Sequence, residues 1–505
     1  MADFAGKETQ GSALAIQPDG KLIEVGSVAN ATTDIAMARF NTDGTLDFSF
    51  GSGGIVMTDI NGTDNSAAAV ALQPDGRIVV AGSARDGSNN QSLDFALTRY
   101  NADGSLDPSF GVSGKVRTDL TGRADVATSL AIMSGGRLLV GGQTFDATNG
   151  GSNDAVLVAY TQGGSLDTTF GTGGKVINDV AGFAERINCL AIQADGKIAA
   201  GGFANLSAGE SSQTFALLRY NPNGTPDQSF GTGGKVTTMF SGQEEARAIA
   251  ILTNGKIVLA GSTFANQGDF AVARYNSDGS LDTAFGVGGK VTTDFTGNID
   301  VGRAISLQAD NKIIAGGWTA RSNDSNTRDF ALARYSADGS LDNSFGTAGK
   351  LTTDFEGLGD LGSAMLVQTD GKLVFAGSAT HSTGPSTSTF RMVMARYTIG
   401  GAGAPGFSLA FDESPLTGDR GTKISFHVLI NRTGGFTGNV TITPPDGSVI
   451  GVKVKPGDAV TATDDSIKFK LKIKAGAIPG HYALTFAGHD DSGHTATATI
   501  GVVIQ

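Results

Sequence analysis

The sequence predicts an all-β chain, a seven-bladed β-propeller closed by its own N-terminal strand and followed by a smaller β-sandwich. Three observations carry this. The composition is glycine-rich and lightly charged, with 74 Gly in 505 residues and 17% charged side chains, and no window shows an apolar stripe at helical spacing. A motif of the form Asp-Gly-x-Leu-Asp-x-x-Phe-Gly recurs along most of the chain. Four strand-like runs fall within each recurrence, and a chain this long exceeds what one hydrophobic core serves.

The motif places Phe at 50, 110, 170, 230, 285 and 345. A second marker, Gln-Pro-Asp-Gly-Lys and its relatives, turns at Gly20, Gly76, Gly136, Gly196, Gly255, Asn311 and Gly371. Each unit opens with a run such as Ser12–Gln17, followed by a tight turn and a second run such as Lys21–Val25. A variable loop then leads to a third run, Asp94–Tyr100 and its copies. The Asp-Gly turn and Phe-Gly run precede a fourth, Lys290–Phe295 and its copies. Four short strands repeated seven times read as propeller blades. In Phe95-Ala96-Leu97-Thr98 large and small residues alternate and neither face is charged, as a sheet covered on both sides requires.

The seventh unit lacks a fourth run, since Arg391–Tyr397 leads directly into a Gly-rich stretch. Met1–Gly6 aligns with the end of the fourth run of another unit, Thr293–Gly297. Residues 2–5 are therefore expected to supply the missing outer strand and remove a sheet edge. Because residue 2 already stands inside a repeat, a leader is expected to precede it.

At these motifs residues 1–398 resemble the delta-sixty repeat family of bacterial propellers. The resemblance implies an exported or surface-associated bacterial protein and carries over no catalytic residues. Residues 399–406 read as a Gly-rich linker. Residues 407–505 hold about seven alternating runs separated by turn signals, among them Asp446-Gly447, Pro456-Gly457, Pro479-Gly480 and Ser492-Gly493. The stretch Asn431–Gly438 resembles the immunoglobulin-like spacers of bacterial secreted enzymes and adhesins. The Cys-Trp-Cys hallmark of immunoglobulin domains is absent.

Charge and cysteine usage bound the partners. Residues 401–505 hold nine basic and nine acidic side chains, so the formal charge of −12 lies entirely in residues 1–400. An acidic module repels phosphate backbones, which argues against nucleic acid. No run approaches the ~18 apolar residues of a membrane-spanning helix. Cys189, the single cysteine, is expected to be a small core residue.

Arg recurs at 39, 99, 219, 274, 334 and 396, and Asp at 47, 107, 167, 227, 282 and 342. Eight residues separate the two within a unit, and a bidentate pair is expected to lock each bend. The Asp-Gly runs are expected to be side-chain-braced turns rather than calcium loops. Blade three carries Ala159 in place of the Arg.

Candidate site residues lie on the opposite face, where the loops between second and third strands vary in length. Phe145, Phe203, Phe264 and Trp318, with His381, are expected to form a sugar-binding rim there, or alternatively to anchor their loops. Asp125, Glu185, Glu245, Asp300 and Asp360 start the inner strands and are expected to ring the channel mouth. They are candidates for a cation such as Ca2+, or alternatively for caps and ion pairs with Arg186, Arg247 and Arg303. No cofactor motif stands out. The expected function is a secreted or cell-surface binding or adhesion module for a glycan or surface polymer. The alternatives are a cation-dependent hydrolase or lactonase-like enzyme, and a structural spacer or filament subunit.

Overall fold

The computed structural model describes residues 2–87, 92–146, 152–178, 180, 182–207, 213–264, 267–308, 310–322, 327–368, 370–384, 387–400, 406–411, 416–433, 439–445, 451–457, 459–462, 466–490 and 495–505. The chain divides into two compact units, Met1–Ile399 and Gly400–Gln505. No α-helix occurs among the described residues.

The first unit holds seven antiparallel sheets in chain order. Six have four strands and the last has three. The sixth is typical, with Asp300–Leu307, Ile313–Ala320, Arg328–Tyr335 and Lys350–Thr353 pairing in succession. The corresponding first strands of the others are Thr9–Ile16, Asn65–Leu72, Asp125–Ile132, Glu185–Ile192, Glu244–Ile251 and Asp360–Val367.

The second and third strands are buried on both faces because each sheet packs against the next. One apolar cluster joins Val79, Phe95 and Leu97 of the second sheet to Val140, Val156 and Tyr160 of the third. Tyrosines pin these contacts. The Tyr100 hydroxyl donates to Thr58 Oγ1 of the preceding sheet at 2.8 Å, and Tyr275 does the same to Thr238 at 2.8 Å. First and last sheets meet through apolar packing of Leu22, Phe40, Val374 and Met392, with Phe40 at the tyrosine's position.

The Phe-Gly motif works through its arginine. Arg274 Nε donates to Asp282 Oδ2 at 2.6 Å, its guanidinium lies 4.5 Å from the centre of the Phe285 ring, and Nη1 donates to the Ala337 carbonyl of the following sheet at 2.5 Å. The equivalent Arg–Asp pairs form at Arg39–Asp47, Arg99–Asp107, Arg219–Asp227 and Arg334–Asp342. Each of these aspartates also meets a Lys or Arg from the start of its second strand, as in Lys21–Asp47 and Lys256–Asp282. In the third sheet Arg137 from that second position pairs with Asp167, so the aspartate keeps one cation where the others have two.

Ala2 and Phe4 are buried against the seventh sheet, and the Ala2 N–H donates to the Met392 carbonyl at 3.3 Å. Residues 2–5 form no strand. Met392 stands where Phe270 stands in the fifth sheet, and Ala2 where its partner Thr293 stands. The expected outer strand is thus represented by its last position. Asp3 continues as a turn, accepting the Gly6 N–H at 2.7 Å as Asp294 accepts that of Gly297 at 2.6 Å.

The second unit has two sheets. One orders Gly406–Phe411, Lys423–Thr433, Ser466–Ile473 and Val452–Lys455. The other orders Leu416–Gly418, Thr495–Ile504, Gly480–Asp490, Val440–Thr443 and Val460–Ala462. Ser466–Ile473 alternates exposed and buried residues at every step, the pattern of a strand with one wet face. Phe426, Phe469 and Phe486 meet in the shared core. Asp446-Gly447, Ser492-Gly493 and residues 434–438 lie outside the described residues.

Candidate functional site

The structure moves three of the four aromatic candidates off the loops. Trp318 sits inside the strand Ile313–Ala320, opposite Val301 and Phe330, and is only 7% exposed. Arg328 covers its ring at 4.5 Å. The expectation that it opens a loop fails because the strand runs two residues further, which turns its side chain into the sheet packing. Phe145 and Phe203 are also strand residues, half-buried, with Arg123 and Arg186 stacked 5.2 and 5.3 Å away. Phe264 is half-buried immediately after Ile257–Thr263. His381 lies in the extended strand Lys372–Gly384, and its Nδ1 is 2.8 Å from Glu356. Arg stacking or the His–Glu contact therefore occupies four of the five expected ligand contacts.

The acidic ring is also redrawn. Asp125, Asp300 and Asp360 are fully buried, and each accepts the N–H five residues earlier, from Leu120, Phe295 and Phe355, at 2.7 Å. Glu185 is buried at the matching position. Burial pushes the pKa of Asp125 and Asp300 up to about 6 and that of Asp360 to about 7. Capping its own turn directs each carboxylate into a junction between sheets, away from a shared channel mouth. In the fifth sheet the capping residue is Glu244, which accepts from Ser241 and Gly242 N–H at 2.9 and 2.6 Å. The preceding loop is one residue shorter there, so Glu245 takes the next position and a different role.

At three junctions the cap joins two further carboxylates: Asp94–Asp119–Asp125, Asp269–Asp294–Asp300 and Asp329–Asp354–Asp360, each offering oxygens within 4.8 Å of one another. Arg117 stands 2.9 Å from Asp94, and Arg321 stands 3.2 Å from Asp329 and 2.9 Å from Asp354. A guanidinium thus neutralises part of two of these groups.

A feature that the sequence reading passed over lies between the first strands. All seven carry a register shift at one residue: Ser12, Ala68, Thr128, Asn188, Arg247, Arg303 and Ser363. Such a bulge leaves a residue out of the ladder and re-aims it. These seven line a cavity of about 740 Å³. Leu14, Leu130, Leu190, Ile249, Ile305 and Met365 form an apolar collar in the same cavity. The signal available in the sequence was the fourth position of each first strand, which is small or hydroxylated except at Asn188, Arg247 and Arg303.

Cys189 is buried, with Sγ 3.4 Å from the Gly201 carbonyl, and burial pushes its thiol pKa far up. A nucleophilic thiolate is not accessible in that setting.

Six stretches, residues 17–50, 73–110, 136–170, 193–230, 252–285 and 308–345, match the family described as Domain of unknown function (DUF5122) beta-propeller. No curated protein matches the chain. Among solved structures, domains 4 and 5 of the S-layer protein SbsC align over 39% of this chain and 91% of that one, at 15% identity and a TM-score of 0.14. A longer SbsC fragment, rSbsC(31-844), aligns over 98% of this chain and 53% of its own length, at 10% identity and a TM-score of 0.15. Trypsin-activated alpha-2-macroglobulin from Escherichia coli aligns over the whole chain and 40% of its own, at 9% identity and a TM-score of 0.17. TM-scores this low carry no argument about fold or function. The six matches, spread from residue 17 to 345, are all to repeats of this β-propeller family.

Proposed function

We propose that the chain is a non-enzymatic binding or adhesion module presented outside the cell. In this reading the first unit is a seven-bladed propeller closed by the contact of residues 2–4 with the last sheet, and the second is an immunoglobulin-like spacer. The ligand, a glycan or another surface polymer, is held by the connections between second and third strands.

One contrast supports the reading. The connections between first and second strands span five residues in six sheets and four in the seventh. Those between second and third strands span 3, 7, 5, 7, 5, 7 and 2 residues in chain order. A uniform frame with one variable end is the usual arrangement of a binding scaffold. The carboxylates assigned to a cation-dependent hydrolase cap buried turns, and three of them, Asp125, Asp300 and Asp360, also join carboxylate groups able to hold a cation.

The test is a glycan array probed with the labelled chain, followed by replacement of residues 206–212 and 321–327 with the three-residue connection Asn30–Thr32. Binding that disappears in the grafted variants, with melting temperature kept, supports the loop face. Binding that survives both grafts overturns it.

A further inference from the structure

The cavity between the first strands carries a charge opposite to that of the unit around it. Arg186, Arg247 and Arg303 come from three consecutive first strands and share one side of the wall with Asn188. The carboxylate beside them is Glu245. Its Oε1 accepts from Arg186 and, at 3.0 Å, from Asn188 Nδ2, and its Oε2 accepts from Arg247 Nη2 at 2.5 Å. Three guanidinium groups against one carboxylate leave this wall at +2.

Glu245 acts on Arg303 only through its charge, without a hydrogen bond. Among the described residues no hydrogen bond or ion pair reaches Arg303, and its Nε is buried without a partner, as is that of Arg247. Arg303 and Arg247 are half-buried, and a partly desolvated cation keeps its charge at a cost unless something neutralises it. Burial first, and Arg247 second, push the pKa of Arg303 down to about 10. The other strands present Ser12, Ala68, Thr128 and Ser363 to the cavity, which leaves room opposite the arginines.

We propose that this wall is a binding site for an oxyanion, with Arg303 and Arg247 as its principal donors. The group recognised is a carboxylate, sulfate or phosphate. A planar guanidinium fork matches two oxygens of such a group, and an ammonium does not. The apolar collar offers a face for the ring or aliphatic part of a larger ligand. The same chemistry arises from a free inorganic anion and from an acidic sugar. The proposal stands independently of the loop-face reading.

Calorimetric titration with sodium sulfate, sodium glucuronate and neutral glucose, at constant ionic strength, tests it. Sulfate or glucuronate is expected to bind and glucose not. Tighter binding of glucuronate assigns the site to an acidic sugar, and tighter binding of sulfate assigns it to a free oxyanion. Arg303→Gln is expected to weaken binding at least tenfold. Arg303→Lys keeps the charge and loses the fork, so it is expected to bind several-fold more weakly even if the glutamine variant does not fold. Arg420→Gln, in the second unit, is expected to bind as the parent does. Absence of binding by both anions, or unchanged affinity in the Arg303→Lys variant, overturns the proposal.

Discussion

Arg396 of the last propeller sheet donates through Nη1 to the Thr42 carbonyl of the first, at 2.6 Å across 354 residues of sequence. The same link joins Arg274 to Ala337 and Arg334 to Ile399. Arg274 and Arg334 are also paired with an aspartate of their own sheet, whereas the contact shown for Arg396 is the one to the next sheet.

Removing residues 2–6 is expected to lower the melting temperature and produce concentration-dependent aggregation. It takes away Ala2 and Phe4 from the cluster between first and last sheets and exposes the third strand of the seventh. Arg396→Ala, which cuts a more exposed link, is expected to cost less than the deletion. Thermal melts with light scattering check both, and an unchanged, monodisperse deletion variant would refute the closure.

Asp107→Ala and Asp282→Ala are expected to cost about 1–3 kcal/mol each, because each strands a buried arginine and a second cation. Asp167→Ala is expected to cost less, since only Arg137 loses its partner. Hydrogen bonds from serines and charges from arginines hold the carboxylates of Asp107 and Asp227 below their usual range. A depressed folded pKa gives stability that is present above the unfolded value of about 3.8 and is lost as pH falls below it. Denaturant titrations at pH 7 and pH 3 should show the Asp107→Ala penalty shrinking at acid pH.

Glu24 is the converse case. Its side chain is fully buried in the second strand of the first sheet, where the other sheets place Val80, Val140, Ala200, Leu259, Ala315 and Phe375. No hydrogen bond of ordinary geometry reaches its carboxylate, and burial raises its pKa well above the usual value. A raised folded pKa means stability is greatest below the unfolded value, about 4.5, and declines as pH rises above it. Glu24→Val is expected to stabilise the protein by about 2 kcal/mol at pH 8 and by less at pH 4.5. Equal melting temperatures at pH 8 for parent and variant would contradict this.

Trp318→Ala is expected to destabilise by about 3 kcal/mol, since the ring fills space between Arg328 and the sheet. A variant that melts like the parent would return Trp318 to the list of ligand contacts.

The repeats were legible because turns are written locally. Each Asp-Gly pair and each Arg eight residues before its Asp declares itself in the string. The bulge that aims Arg247 and Arg303 into the cavity depends on pairing with a neighbouring strand, so the sequence marks it only by the recurring fourth position of the first strands. The swap of Glu244 for Glu245 arose from a connection one residue shorter, Thr238 to Glu244, whose length is set by where the strand begins. Trp318 was misread because the end of its strand is set by pairing with Arg328–Tyr335 and not by a turn residue.

The Arg396–Thr42 link has one more consequence. If the contact between last and first sheets repeats the others, which sheet comes first along the chain is arbitrary with respect to the fold. A circular permutant that starts at residue 300 and rejoins the native ends of the first unit through a short linker should preserve every inter-sheet contact. Its folding route would change, because the long-range contact of the parent would become a neighbouring one and a local contact would become the last to form.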